Sequence, residues 1–460
     1  MRRASVGAAP SIDPVGDIDS VFKAYDIRGR TDTGELDERL ARNVGAAFAS
    51  LFDGSAIAVG RDCRISSPGL AVAVTEGITS QGVDVLDIGE VATDVVYFVS
   101  GDRSAPGVMI TASHNPGEYN GIKLCRAGAV PVGSDSGLEA IKEMARAADL
   151  PAVGGGTVLH LDPIPGYVDH LFSIVDPGAI GPLRVVVDAG NGMAGVVLSR
   201  VFDRLSAELI GLYLEPDGTF PNHPADPLQP ENLVDLLRAV STERPHLGVA
   251  FDGDADRAFF VDDLGVALSG STTTALIARW FLARHPGASI VHNLITSRSV
   301  PEVIREAGGT PVRTRVGHSY IKRVMADTDA VFGGEHSGHY YFRDNYRADS
   351  GMLAMLVLMR LITEAGRPLS ELRTEVERYA ASGEINIEVS DNGRALSAVA
   401  KAFAGHPIDH TDGITVDLGD RWFNLRPSNT EPYVRLNVEG PDRDAVDSLV
   451  GRVRGIVLSS

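Results

Sequence analysis

Three times along this chain a short apolar run breaks straight into a polar loop. Val108-Met109-Ile110 precedes Ser113, Gly248-Val249-Ala250-Phe251 precedes Asp252, and Ala330-Val331-Phe332 precedes Glu335. A short apolar run bounded by turn signals reads as a buried strand. In open α/β sheets, ligands bind beyond the C-terminal ends of such strands. The recurrence predicts three related α/β domains, each offering one loop to a shared cleft, although no residue-level repeat accompanies it.

The intervening sequence supports that reading. Ala56-Ile57-Ala58-Val59-Gly60 reads as a strand, residues 70–81 as a helix, and residues 83–89 as a strand again, which suggests βαβ units. Gly154-Gly155-Gly156 and Asp162-Pro163-Ile164-Pro165 mark a boundary near residue 158. A second unit opens with residues 183–188 and Ala189-Gly190-Asn191-Gly192. A third, from about 268, holds strands near 288–291, 310–314 and 330–333. The last is shorter, with strands at 384–389 and 433–438 and a helix over 443–457. At 460 residues the chain is too long for one core. The expected division is a loose tail at 1–16 and domains at 17–158, 159–267, 268–374 and 375–460.

Lys and Arg total 42 against 61 Asp and Glu, a net charge of −19. That argues against nonspecific binding to nucleic acid or to an anionic membrane, while leaving room for a locally basic cleft. Cys63 and Cys125 are the only cysteines and form neither a disulfide framework nor a zinc pattern. The N-terminus has no apolar run of signal-peptide length. Residues 352–362 are too few to span a bilayer and include Arg360, so they read as a buried helix. A soluble cytoplasmic protein is the expectation.

The loops carry the chemistry. In Val108-Met109-Ile110-Thr111-Ala112-Ser113-His114-Asn115-Pro116 the strand gives way to a turn that presents the Ser113 hydroxyl. Asp252-Gly253-Asp254-Ala255-Asp256-Arg257 puts three carboxylates in one compact loop, a set of hard oxygen ligands suited to Mg²⁺ or Ca²⁺. An EF-hand begins the same way, but Arg257 stands where its turn requires glycine, and a strand precedes rather than a helix. A solvated acidic turn is the plainer alternative. Gly333-Gly334-Glu335-His336-Ser337-Gly338-His339 could hold vicinal sugar hydroxyls or be an ordinary polar turn. His318 could bind phosphate, move a proton or be structural. Arg426-Pro427-Ser428-Asn429-Thr430-Glu431-Pro432 offers an arginine, hydroxyls and an amide, either an anion cradle or a Pro-bounded turn. Phe22-Lys23-Ala24-Tyr25-Asp26-Ile27-Arg28-Gly29 reads as a cleft edge or a first strand, and residues 216–224 as a rigid connection without chemistry.

Together and in this order, the motifs resemble those of the α-D-phosphohexomutase superfamily, most closely its phosphomannomutase/phosphoglucomutase branch. The resemblance covers roughly residues 20–460. It rests on Thr111–Pro116, Asp252–Arg257, Gly334–His339 and Arg426–Pro432, with support from Tyr25–Gly29 and Val187–Gly192. It implies an α/β fold: three related mixed α/β domains plus a smaller C-terminal α+β domain around a central cleft. Ser113 matches the family's phosphoserine. Asp252, Asp254 and Asp256 match its Mg²⁺ ligands, one ion per chain, with Ser113 a further ligand. Glu335 and Ser337 match the sugar contacts, with His339 in the same loop. Arg426, Ser428, Asn429 and Thr430 match the distal-phosphate loop. Tyr25, Arg28, Lys123, Arg257 and His318 match residues that contact substrate or phosphate or transfer a proton.

The activity so implied interconverts mannose 6-phosphate and mannose 1-phosphate through a phosphoserine and a hexose 1,6-bisphosphate. Glucose phosphates, or both sugars, are the alternative, and a sugar-phosphate phosphatase or a non-catalytic binder the rival classes. Within the family, a basic or apolar residue after the loop glutamate, as His336 follows Glu335, is commoner in mannose-handling members. One departure is the absence of a third-domain lysine of some bifunctional members, where this chain reads Leu294-Ile295-Thr296-Ser297-Arg298. The implied partners are small hexose phosphates, with no nucleic acid, membrane or obligate protein partner.

Overall fold

The computed structural model describes residues 18–52, 54, 56–148, 150–427 and 433–460. The chain divides into two compact units, Met1–Ala258 with Ala348–Leu353, and Phe259–Arg347 with Ala354–Ser460.

The first unit opens with β1 (Ile27–Arg30), α1 (Glu38–Leu51), β2 (Ala56–Arg61), α2 (Ser67–Ser80), β3 (Asp84–Glu90) and α3 (Thr93–Asp102). It continues through β4 (Gly107–Ile110), β5 (Tyr119–Arg126), β6 (Val130–Pro131), α4 (Glu139–Ala147) and β7 (Val158–His160). The main path of this sheet runs β1-β5-β4-β2-β3-β7, and β6 pairs with β5. Strands β4, β2, β3 and β7 pair in parallel, as βαβ alternation demands. Strand β5 instead runs antiparallel to both β4 and β1, so the sheet is mixed. Residues 111–118 are therefore a hairpin loop, fixed by Ile110 lying opposite Ile122. Because β7 pairs with β3, this sheet reaches just past the boundary that the glycine cluster suggested.

Local chemistry explains the helices. Asp37 caps α1 by accepting from the Leu40 amide at 2.8 Å. Leu40, Val44 and Phe48, four residues apart, form its fully buried stripe. Helix α2 packs so close to α1 that a Cβ on Gly77 would sit 2.0 Å from the Arg42 carbonyl oxygen, so only glycine fits.

The same unit then holds α5 (Ile164–Ile174), β8 (Arg184–Asp188), α6 (Ala194–Phe202), β9 (Glu208–Leu212), α7 (Val234–Glu243) and β10 (Leu247–Phe251). Strand β8 pairs in parallel with both β9 and β10. Every residue of β10 is buried, which explains its unbroken apolar run. Strand β11 (Ala258–Val261) carries the chain onward.

The second unit contains α8 (Gly270–Leu282), β12 (Ser289–Asn293), α9 (Ser299–Glu306), β13 (Thr310–Thr314), α10 (His318–Thr328), β14 (Phe332–Gly334) and β15 (Tyr340–Phe342). Their sheet runs β13-β12-β14-β15, parallel except for the last pair. Helix α11 (Gly351–Ala365) follows; its residues 354–359 are fully buried, and Arg360 pairs with Glu364 at 2.5 Å. After α12 (Leu369–Val376) come β16 (Ala380–Glu388), α13 (Asn392–Ala402), β17 (Ile408–Asp409), β18 (Ile414–Asp417), β19 (Trp422–Pro427), β20 (Tyr433–Gly440) and α14 (Arg443–Leu458). These strands form an antiparallel sheet, β16-β20-β19-β18-β17. Phe403 of its core meets Phe423 edge-on at 4.9 Å, each ring contributing about 1.5–3 kcal/mol by burial. This last part is α+β, while the three preceding sheets are mixed or parallel α/β. Among the described residues no helix is long and apolar enough to cross a membrane.

Candidate active site

Ser113 sits in the β4–β5 hairpin loop with φ of +52°, a left-handed conformation that costs a non-glycine residue about 1 kcal/mol or more. Its amide donates to Thr111 Oγ1 at 2.9 Å, which holds the bend. The hydroxyl donates to Asp252 Oδ2 at 2.7 Å, and His114 Nδ1 lies 3.2 Å away. Asp252 begins the loop after β10, so the contact joins the ends of two sheets. The approach is close: a Cβ on Gly253 would lie 2.5 Å from the Ser113 carbonyl oxygen.

Asp252, Asp254 and Asp256 are all buried, and each offers a carboxylate oxygen within 4.8 Å of the others. Ala255 between them adopts φ of +62°, which folds the loop back on itself. Arg257 donates through Nε to Asp252 Oδ2 at 2.8 Å and through Nη2 to Ser113 Oγ at 3.3 Å. Lys123, opposite Met109 on β5, reaches Asp254 Oδ2 and Asp256 Oδ2, both at 2.6 Å. Thr93 Oγ1 also donates to Asp254 Oδ2, at 2.6 Å. Asp254 Oδ1 is buried with no hydrogen-bond partner. Three hard oxygen donors converging around an orphaned carboxylate oxygen fit a small divalent cation.

The charges are strongly coupled. Burial, then the neighbouring Asp256 and Asp254, push Asp252 up to about 7 against the pull of Arg257. Burial opposes ionisation of Asp254 too, but Lys123 outweighs it and holds that carboxyl well below its usual range. Burial likewise opposes the charge on Lys123, yet Asp254 and Asp256 keep its ammonium protonated far above the ordinary lysine range. His114 is driven well below its usual value by burial and by Arg257 and Arg28, so its ring is neutral.

Arg28, on β1 beside β5, donates to Asn115 Oδ1 and to Asp26 Oδ2, both at 2.5 Å. It thereby touches the same hairpin loop. Tyr25 is half-buried just before β1. The first unit thus gathers Ser113, Lys123, Asp252, Asp254, Asp256 and Arg257, with Arg28 on the loop's flank.

In the second unit Glu335 follows β14 and is buried. Its Oε1 accepts from Asn293 Nδ2 and from the Gly317 amide, both at 3.2 Å, and its Oε2 from Tyr341 Oη at 2.7 Å. His318, next to Gly317, begins α10 and is half-buried. The His339 ring stacks on Tyr341 at 6.1 Å. Ser337 is half-buried in the same loop, while His336 Nδ1 lies 3.2 Å from Ser271 Oγ. Arg426, at the end of β19, pairs with Glu384 at 2.6 Å, and Arg435 approaches the same carboxylate at 3.3 Å. Ser428, Asn429 and Thr430 lie outside the described residues.

Sequence reasoning missed the residues that support these groups. Thr93, Asn293 and Tyr341 belong to no motif read from the chain, and each reaches its carboxylate from another element. Arg298 donates to Asp417 Oδ1 at 2.6 Å and to the Gly419 carbonyl at 2.5 Å, so it ties α9 to the last sheet.

Four family models match the chain in succession. They are the phosphoglucomutase/phosphomannomutase alpha/beta/alpha domains I, II and III, over residues 19–151, 165–265 and 269–379, and the C-terminal domain over 384–456. A curated relative named phosphohexose mutases, from Xanthomonas campestris pv. campestris, is 43% identical over 427 residues, 91% of this chain and 94% of its own. A phosphomannomutase of Escherichia coli K12 is 40% identical over 448 residues, 95% of this chain and 98% of its own. Among solved structures, a phosphoglucomutase/phosphomannomutase family protein from Burkholderia thailandensis superposes with a TM-score of 0.88 at 32% identity, covering 96% of this chain and 97% of that one.

Proposed function

The chain belongs to the phosphoglucomutase/phosphomannomutase family, and from that premise we propose a phosphomannomutase that works through a phosphoserine at Ser113. It interconverts mannose 6-phosphate and mannose 1-phosphate. The observation that carries the reading is the Ser113 hydroxyl, 2.7 Å from Asp252 and 3.3 Å from the Arg257 guanidinium.

Phosphorylated Ser113 gives its phosphoryl group to the free hydroxyl of the hexose monophosphate. The P–Oγ bond breaks, a P–O bond to the sugar forms, and the hydroxyl proton passes to a base. The resulting 1,6-bisphosphate turns over and returns its other phosphoryl group to Ser113. Such transfer depends on alignment and charge neutralisation more than on covalent chemistry by the protein. Asp252, Asp254 and Asp256 would hold Mg²⁺, whose chemistry when bound is to offset the charge of the phosphoryl oxygens. Arg257 adds a fixed positive charge beside Oγ. Lys123 lies between two carboxylates and braces the loop. Lys123 and His318 are the two candidates for accepting the proton.

Glu335, fixed by three donors, is suited to accept from sugar hydroxyls, with Ser337 and His339 beside it. Arg426 is the described part of the phosphate-gripping loop. Arg298 stands near the place of the lysine found in some bifunctional members, but its fork is tied to Asp417 and Gly419. That argues against dual specificity.

The test is a coupled assay comparing mannose 1-phosphate with glucose 1-phosphate, with the hexose 1,6-bisphosphate as activator. It is paired with mass analysis of the Ser113 peptide. The reading expects faster turnover of the mannose sugar and an added phosphoryl mass on Ser113. Inorganic phosphate released faster than isomer forms would make it a phosphatase, and a glucose preference would reassign the sugar.

A further inference from the structure

Arg64 lies three residues past β2 and belongs to none of the motifs described so far. Its side chain is completely buried. A guanidinium has five N–H donors, and here each has an acceptor. Nε donates to Asp62 Oδ2 at 3.1 Å. One terminal nitrogen donates to the carbonyls of Pro116 at 2.7 Å and Tyr119 at 3.0 Å. The other donates to the carbonyls of Ser113 at 2.8 Å and Asn115 at 2.6 Å. Four of the five bonds therefore go to main chain, three in the hairpin loop that presents Ser113 and one at the first residue of β5.

The fork is itself fixed. Asp62 Oδ1 accepts from the Arg64 amide at 3.0 Å and from Ser67 Oγ at 2.5 Å, so the start of α2 holds the carboxylate. The Phe220 ring lies over the guanidinium at 5.2 Å. Behind it, a Cβ on Gly218 would meet the Cys63 carbonyl oxygen at 2.3 Å, so the 218–220 turn closes the remaining side. No donor is left over for a ligand. A buried arginine without a spare hydrogen does not bind substrate; it holds backbone.

What it holds is under strain. Ser113 at φ of +52° gains by relaxing unless its surroundings over-determine it. Two bonds from one nitrogen bracket His114, and the planar fork fixes their relative direction.

We propose that Arg64 is a positioning residue, whose guanidinium clamps the Ser113–Tyr119 backbone and so aims the Ser113 hydroxyl at the transferring phosphoryl group. The inference rests on the reading of Ser113 as the phosphoryl carrier. Lysine offers at most three donors on a flexible stem, so R64K keeps the charge and loses the clamp.

The experiment compares full-length wild type and R64K for turnover of mannose 1-phosphate with the bisphosphate activator, alongside circular dichroism. The expected result is a folded variant whose kcat falls by about 10²-fold, as for an ångström-scale misplacement of a reacting group, while KM stays within about twofold. Rephosphorylation of Ser113 by the bisphosphate should slow in step. Should R64K fail to fold, F220L removes the ring from the guanidinium while leaving all five hydrogen bonds in place. It should lower kcat by about threefold or more, the loss expected of one cation–π contact between a buried guanidinium and a half-buried ring. Wild-type kcat in folded R64K, a loss confined to KM, or an unfolded R64K beside an unaffected F220L overturns the inference. A wild-type protein that turns over no hexose phosphate overturns the underlying reading and this inference with it.

Discussion

Ser113 Oγ donates to Asp252 Oδ2 across 2.7 Å, although 139 residues separate the two in sequence. The contact joins a hairpin loop of the first sheet to the loop after β10 in the second. It puts the hydroxyl beside a carboxylate that the reading assigns to a cation. Asp252→Asn keeps the shape and removes the charge. Its kcat should fall by about 10²–10³-fold, the usual loss for one electrostatic group at a reacting centre, with the fold intact by circular dichroism. Ser113→Ala should lose both turnover and the phosphoryl mass, and full activity in that variant would sink the mechanism.

Lys123 links Asp254 and Asp256, and all three are largely buried. Lys123→Met leaves two carboxylates facing each other without the ammonium between them. Breaking a buried pair in this way costs about 3–5 kcal/mol. Urea unfolding in a chelator should show that deficit, and added Mg²⁺ should shrink it, because the cation then stands in for the ammonium. Equal stabilisation of wild type and variant by Mg²⁺ would contradict the assignment.

Tyr341, fully buried, donates to Glu335 at 2.7 Å. A hydrogen bond to a charged group contributes about 1.5–3 kcal/mol. In Tyr341→Phe the carboxylate loses one of its three donors and its fixed direction. KM for hexose phosphate should rise severalfold with little change in kcat. A kcat loss at constant KM would instead place Tyr341 in the chemical step.

The motifs were legible because each is local: the Ser113 turn, the aspartate loop and the Glu335 loop lie within a few residues of the strand that precedes them. The strand and helix runs were legible for the same reason, since period and breakers act over short stretches. What escaped notice acts across the fold. The antiparallel course of β5 depends on the register of Ile122 against Ile110, not on any signal within β5 itself. Lys123 was singled out, but its place between two aspartates of a distant loop was not. Arg64 had one signal, an arginine two residues after Asp62 at the end of a strand, which gains meaning only when five acceptors surround it.

His223 lies in the stretch that the sequence left without chemistry. Its Nε2 is 3.1 Å from Asp188 Oδ2, and its Nδ1 2.8 Å from the Pro224 carbonyl. The hydrogen bond to Asp188 raises its pKa above the ordinary 6.5, outweighing partial burial. A raised folded-state pKa means the protonated form is favoured in the folded protein. Its contribution is complete below about pH 6.5 and is lost as pH climbs through the raised value. The stability gap between wild type and His223→Gln should therefore be wider at pH 6 than at pH 9 in urea titrations. A gap that does not change with pH would rule out the ionic contribution.

The ammonium between Asp254 and Asp256 comes from a strand of the neighbouring sheet. The aspartate loop therefore shares a charge balance with β5: neither can be redesigned alone, because a change of sign in one leaves the other's buried charge unmatched.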